Sequence, residues 1–284
     1  MKNQAAALDS LISQKKVDTK FIAITSGKGG VGKSTFSANL GYKLWQLGFK
    51  VAIFDADIGL ANLDVMFGVR VEKNLLHVLK NQARLKDILL PIEHNFYLIP
   101  GDSGSDIFRF KSEFMFEALI EDSKILDGFD FVLIDTGAGI GEYTQTFLKN
   151  SDDIIVLTVP DPAAITDAYA TIKLASHYKK RAFMMINMAK NDKEALMIFE
   201  KIHKIASNNI KNITLEYLGK FSKDPLVNRY TKNRSIIVRE EPNCSLSMEI
   251  EEIARRLAQK MERNVLVEED KRFGKFLKRI LGHF

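Results

Sequence analysis

The run KFIAITSGKGGVGKSTF, residues 20–36, decides the fold, because it places a glycine-rich loop between a short apolar strand and a helix. Gly27, Gly32, Lys33 and Ser34 complete the pattern G-x-x-x-x-G-K-[ST]. In such a loop the backbone N–H groups curl around phosphate oxygens, the lysine reaches the β- and γ-phosphates, and the serine ligates magnesium. The predicted nucleotide contacts are Gly27, Lys28, Gly29, Gly30, Val31, Gly32, Lys33, Ser34 and Thr35.

Apolar runs and helix-length segments alternate along the rest of the chain. After a helix predicted at 33–47, strand-like runs stand at 50–57, 95–101, 129–137, 152–160, 181–189 and 213–219, and helix-length segments at 111–126, 162–178, 191–208 and 243–263. Buried strands separated by helices indicate a mostly parallel, doubly wound α/β sheet with helices on both faces. We therefore predict one domain at 20–263, an N-terminal extension at 1–19 and a C-terminal segment at 264–284, with ligands at the carboxyl ends of the strands.

Composition narrows the function classes. The net charge is +5, but residues 271–284 hold five basic residues and no acidic one, so the other 36 basic and 36 acidic residues cancel. A neutral body makes DNA an unfavoured partner, since non-specific DNA binding needs a basic face. The single cysteine, Cys244, excludes a disulfide scaffold and a cysteine-ligated cluster within one chain. No apolar run approaches the ~20 residues of a membrane span, and the N-terminus lacks a secretory signal, so we expect a cytoplasmic protein.

Polar residues at the predicted strand ends are candidates for the chemistry. Asp55 and Asp57 alternate along one strand and should point the same way. The late strand ends in Asn187, and Lys190 stands where guanine recognition would need a carboxylate, so the sequence favours adenine. Asn187 is a candidate purine contact, and the alternative is that it caps the following helix.

The segments KGGVGKST (28–35) and DADIGLANLD (55–64) together resemble the deviant Walker A ATPases of the MinD/ParA group, over about residues 20–284. The resemblance implies a slow regulatory ATPase that uses ATP and Mg²⁺ and forms an ATP-dependent homodimer. In that group the lysine equivalent to Lys28 reaches the partner's nucleotide. The resemblance further implies that Asp57 positions the attacking water and that Asp55 and Asp135 lie near magnesium. Asp57, Lys28 and Lys33 are thus the predicted catalytic residues, and Ser34, Asp55 and Asp135 the predicted metal residues.

The run GKFSKDPLV, residues 219–227, resembles the stretch that passes the adenine in this group. Asp224 is the candidate contact there. The alternative is a surface turn around Asp224-Pro225.

Two features resemble the FlhG/FleN/YlxH regulators of flagellar number. One is the sequence DTGAGI at 135–140, and the other is NQAAALDSL at 3–11, which matches a DQAxxLR element at Gln4, Ala5 and Leu8. The resemblance implies an FlhF-type GTPase as partner, with a flagellar transcription regulator or switch protein as a further candidate. A MinD-type division-site regulator and a ParA-type DNA-segregation ATPase remain alternatives for the function. For residues 1–19, the alternative to a partner-binding element is a disordered tail.

The C-terminal segment carries an apolar stripe at helical spacing beside basic residues. Such a pattern is typical of a helix that lies in the membrane interface; the alternative is a helix docked on the protein's own core. We predict peripheral association with the inner face of the cytoplasmic membrane, with an anionic surface, in the ATP-bound state. The stripe comprises Phe273, Phe276, Leu277, Ile280, Leu281 and Phe284.

Overall fold

The computed structural model describes residues 19–57, 61–101 and 126–262. Eight strands form one sheet in the order β3-β4-β2-β5-β1-β6-β7-β8. All neighbouring strands are parallel except β3 and β4, which are antiparallel. The strands are β1 (Lys20–Ser26), β2 (Val51–Ala56), β3 (Leu90–Glu93), β4 (Phe96–Ile99), β5 (Phe131–Thr136), β6 (Asp153–Thr158), β7 (Arg181–Ala189) and β8 (Thr214–Ser222).

The helices, numbered along the described residues, cover both faces of the sheet. None of those in 19–57, 61–101 and 126–262 is long and apolar enough to cross a membrane. They are α1 (Lys33–Gln46), α2 (Leu63–Phe67), α3 (Leu75–Leu79), α4 (Leu85–Ile88), α5 (Glu142–Asn150), α6 (Pro162–Ala175), α7 (Asp192–Asn209), α8 (Pro225–Lys232), α9 (Ile237–Glu240) and α10 (Ser245–Glu262).

Alternation along β1 shows how the two faces are covered. Ile22 and Ile24 pack with α1 and α10, where Phe36 and Ile253 belong to the same cluster. Ala23 points to the other face and packs with α6 and α7. Every residue of β1 is buried, and the apolar run from Phe21 to Ile24 fills its centre, as expected for a central parallel strand.

The predicted doubly wound α/β fold is confirmed, with small shifts of the element ends. The antiparallel edge strand β3 was missed, because Pro91 argues against a strand. Proline is tolerated there because the outer side of an edge strand pairs with no other strand, so no backbone N–H is needed on that side. The pairing register of β3 with β4 shifts between Pro91 and Glu93.

Several sequence predictions lie outside the described residues. They are almost all of the helix at 111–126, the partner-binding residues Gln4, Ala5 and Leu8, and the membrane stripe from Phe273 to Phe284.

Candidate functional site

The phosphate loop joins β1 to α1, and close packing fixes its shape. A Cβ atom on Gly27 would lie 2.3 Å from the backbone oxygen of Asp167 on α6, so only glycine fits there. Gly32 is the N-cap of α1, with a φ of 84° in the left-handed region that favours glycine. The backbone N–H groups that follow therefore face the mouth of the loop at a helix N-terminus, where an anion is stabilised.

Asn187, at the end of β7, braces this loop. Its Nδ2 donates to the Val31 carbonyl oxygen at 2.7 Å, and its Oδ1 accepts from Met188 N at 2.9 Å. The helix-capping alternative for Asn187 is wrong, because Asn191 caps α7 by accepting from Glu194 N. Asn187 lines the cavity, and its contact with the purine stays a prediction.

Lys33 lies between two of the predicted acids. Its Nζ is 3.6 Å from Asp135 Oδ1 and 3.9 Å from Asp57 Oδ2. Asp135 is fully buried and accepts a hydrogen bond from Ser37 Oγ at 3.0 Å. Burial raises the pKa of Asp135, while the charge of Lys33 and the hydroxyls of Ser34 and Ser37 lower it.

The arrangement around Asp135 fits a magnesium-bound nucleotide. Asp135 Oδ2 is buried and has no hydrogen-bond partner among the described residues, which leaves a carboxylate oxygen available to a hydrated cation. Within 19–57, 61–101 and 126–262 no three His, Cys, Asp or Glu side chains are grouped as a self-sufficient metal site. Mg²⁺ is commonly held by one or two carboxylates together with phosphate oxygens. Ser34 and Asp135 would hold such an ion, which would offset the negative charge of the phosphates; both assignments stay predictions.

Asp55 is arranged differently from Asp57. Both carboxylates interact electrostatically with Asp135, but only Asp57 lines the cavity, so their predicted shared direction stays a prediction. Asp55 Oδ2 accepts from Asn62 N at 3.0 Å and Leu63 N at 3.1 Å, and Oδ1 accepts from Asp57 N at 3.4 Å. These bonds tie the Asp57 segment to the start of α2. The predicted placement of Asp55 near magnesium stays a prediction.

The pKa of Asp55 follows from this environment. Burial raises it to about 7, and the negative charge of Asp135 adds to the effect. The backbone N–H groups of Leu63, Asn62 and Asp57 lower it.

Lys28 stands at the exposed rim of the site. Its Nζ donates to Asp161 Oδ1 at 3.1 Å, and both side chains are nearly half exposed. The same oxygen accepts from Ala164 N at 2.9 Å, so Asp161 is also the N-cap of α6. The Ala164 N–H and then Lys28 lower the pKa of Asp161. Sequence reasoning missed Asp161, although Asp followed by Pro at a helix start signals an N-cap.

The loop opens into a cavity of about 850 Å³ at the carboxyl edge of the sheet. Its opposite wall includes Asp224, which caps α8 through Leu226 N at 2.8 Å, and the α8 residues Val227, Asn228 and Thr231. Sequence reasoning missed α8, because the helix has only eight residues and its apolar side chains Leu226, Val227 and Tyr230 are only partly buried.

The structure thus brings the predicted residues of 20–262 to one place. Those that line the cavity are Lys28, Gly29, Gly30, Val31, Gly32, Lys33, Ser34, Thr35, Asp57, Asn187 and Asp224. Gly27, Asp55 and Asp135 lie behind the lining and support it. At the mouth, Val65 and Tyr143 are exposed apolar side chains, and Ile140 is exposed in the chain between the lining residues Ala138 and Gly141.

This chain belongs to the ParA/MinD family of P-loop NTPases. Residues 17–258 match the sequence model of the ParA family described as "NUBPL iron-transfer P-loop NTPase".

Within that family, similarity is high to two curated relatives. The chain is 46% identical to the flagellum site-determining protein YlxH of Helicobacter pylori, over 100% of this chain and 99% of the relative. It is 32% identical to the antiactivator FleN of Pseudomonas aeruginosa, over 83% of this chain and 85% of the relative. The solved structure of the MinD cell division protein of Aquifex aeolicus superposes with a TM-score of 0.69 at 28% identity, over 84% of this chain and 97% of that one.

Proposed function

We propose that this protein is an ATP-hydrolysing switch that regulates flagellar number or placement and acts as a homodimer when it binds ATP. The observation that best supports this proposal is the position of Lys33. Its ammonium group lies between Asp57 and Asp135, and its side chain lines a cavity large enough for a nucleotide. The flagellar role is supported by the similarity to the flagellum site-determining protein YlxH and the antiactivator FleN.

Each charged group of the site has a distinct task in the proposed reaction. Lys33 neutralises the β- and γ-phosphates, and Asp135 with Ser34 supports the magnesium shell. Asp57 orients the attacking water, because its carboxylate lines the cavity while Lys33 lies 3.9 Å away. A water held in line with the γ-phosphate reacts faster through positioning alone.

Substitutions separate ATP binding from hydrolysis. Lys33→Ala should abolish ATP binding in calorimetry. Asp57→Ala should bind ATP and release no phosphate above background. Asp64→Ala, on α2 and outside the cavity lining, is the matched control and should behave as wild type. Wild-type phosphate release by Asp57→Ala would remove Asp57 from its proposed role.

Dimerisation is supported by the mouth of the cavity. Lys28 is exposed there, as are the apolar side chains Val65 and Tyr143, and Ile140 is exposed in the chain between the lining residues Ala138 and Gly141. A second copy facing this mouth would cover the apolar side chains and bring its own Lys28 to the phosphates. Binding energy from ATP would then favour the dimer, because each nucleotide is contacted by both protomers.

The proposed GTPase partner rests on the sequence of the N-terminal extension. Gln4, Ala5 and Leu8 match the element that binds an FlhF-type GTPase in the FlhG group. A glutamine can orient an attacking water in a GTPase site. A peptide of residues 1–20 should raise the partner's GTP hydrolysis rate, and Gln4→Ala in the same peptide should not. An unchanged rate at saturating wild-type peptide would refute the partner.

Membrane association is proposed for the C-terminal stripe from Phe273 to Phe284. Two stripes on one dimer bind a bilayer with avidity, so ATP should increase the bound fraction. Wild type should sediment with anionic liposomes more in ATP than in ADP, and Phe276→Glu should sediment less. Equal sedimentation of wild type in both nucleotides would contradict the coupling to ATP.

A further inference from the structure

The cavity wall opposite the phosphate loop is held by a carboxylate that lies outside the cavity. Glu249 on α10 accepts hydrogen bonds from Ser222 N at 2.8 Å and Ser222 Oγ at 2.7 Å. The ammonium group of Lys220 contacts the same carboxylate and lies 3.0 Å from Ser222 Oγ. Both charged side chains are largely buried. Ser222 ends β8, and Ser222, Lys223 and Asp224 line the cavity.

Close packing of α10 on β8 brings Glu249 to this position. A Cβ on Gly219 would lie 2.6 Å from Ile253 Cγ1, so glycine allows the helix to approach the strand. Ile253 is one turn beyond Glu249 and lies on the same helix face. Arg256 Nη1 donates to the Leu218 carbonyl oxygen at 2.9 Å. The helix therefore runs antiparallel to β8, with Glu249 beside the end of the strand that enters the cavity.

We propose that Glu249 is a positioning residue that fixes residues 222–224 for recognition of the nucleotide base. This inference rests on the proposed binding of ATP. The phosphate loop has separate supports, since Asn187 bonds to Val31 and α6 packs against Gly27. Loss of Glu249 leaves Ser222 N, Ser222 Oγ and Lys220 without their shared acceptor. The disturbance is then confined to the base end of the cavity, with the phosphate end intact.

Comparison of ATP with inorganic tripolyphosphate, which lacks the base and the ribose, tests this separation. Each is titrated calorimetrically with Mg²⁺ into the full chain. Glu249→Ala should weaken ATP binding about tenfold, the equilibrium effect of losing one hydrogen bond to a charged group. Tripolyphosphate affinity should change by less than about twofold, because the phosphate loop is unaffected. Glu249→Gln, which keeps one acceptor oxygen, should fall between wild type and Glu249→Ala.

Glu252→Ala is the matched control, because Glu252 is on the same helix, is 71% exposed and pairs with Arg256. It should bind both ligands as wild type does. An equal loss of ATP and tripolyphosphate affinity in Glu249→Ala, or no loss of either, would overturn the positioning role. If the wild-type protein binds ATP no more tightly than tripolyphosphate, the base is not recognised, and the positioning role of Glu249 is overturned as well. Wild type that binds neither ligand would instead refute the proposed nucleotide function.

Discussion

Asp55 should make the stability of the nucleotide-free protein depend on pH. Its pKa is about 7 in the folded chain against an ordinary value of 3.8. Because the folded pKa is the higher one, the unfolded chain loses this proton first. The stabilising contribution is complete below pH 3.8 and is lost as the pH rises to about 7. At 1.36 kcal/mol per pH unit, this interval corresponds to about 4 kcal/mol as an upper limit.

Asp55→Asn removes the titration while its amide oxygen can still accept from Asn62 N and Leu63 N. Urea unfolding of both proteins, in chelator and without nucleotide, gives the free energy of unfolding between pH 4 and pH 8. The variant should gain stability relative to wild type by roughly 2–4 kcal/mol over that range.

Asp161→Asn is the control for the direction of the pH dependence, because the pKa of Asp161 is lowered in the folded chain, whereas that of Asp55 is raised. Because the ordinary pKa of Asp161 is 3.8, the stability of this variant relative to wild type should fall as the pH rises up to about 4 and level off above it, as opposed to the gain in Asp55→Asn, which continues to about pH 7. The comparison for this variant is therefore extended below about pH 4. A difference between wild type and Asp55→Asn that does not change with pH would refute the reasoning.

Three further predictions follow from the site. Gly27→Ala should lose ATP binding in calorimetry, because its Cβ would lie 2.3 Å from the Asp167 oxygen; binding at wild-type affinity would contradict this close packing. Asp161→Asn should dimerise at a lower protein concentration than wild type in the presence of an ATP analogue, because the variant keeps the cap of α6 but releases Lys28. Light scattering measures this, and weaker or unchanged dimerisation would contradict the prediction. Phosphate release by Ser37→Ala should fall, because Ser37 holds Asp135 at 3.0 Å; an unchanged rate would exclude that support.

Much of the fold could be predicted from sequence because its strands are buried on both faces. Runs such as 131–134 and 182–186 are wholly apolar, and polar residues follow them at the strand ends. The phosphate loop is local in sequence, so its glycines, Lys33 and Ser34 could be assigned without knowing the tertiary structure. Asp57 and Asp135 were assigned through the resemblance to the MinD/ParA group, and their position at one edge agrees with the rule that ligands bind at the carboxyl ends of parallel strands.

The remaining contacts depend on residues that are distant in sequence. Asp161 meets Lys28, and Glu249 meets Ser222, only because helices on opposite faces of the sheet reach the same edge. No periodicity indicates such contacts. The short helix α8 was missed for a different reason, since it packs along the cavity and buries no side chain completely.

The central claim is that ATP drives dimerisation through Lys28, and sedimentation velocity tests it most directly. Wild type should sediment as a dimer with a non-hydrolysable ATP analogue and as a monomer with ADP. Lys28→Ala should bind the analogue but remain a monomer, while Lys173→Ala, an exposed lysine of α6 outside the cavity lining, should dimerise as wild type does. A wild type with the same sedimentation coefficient in both nucleotides, or a Lys28→Ala variant that dimerises normally, would contradict the claim.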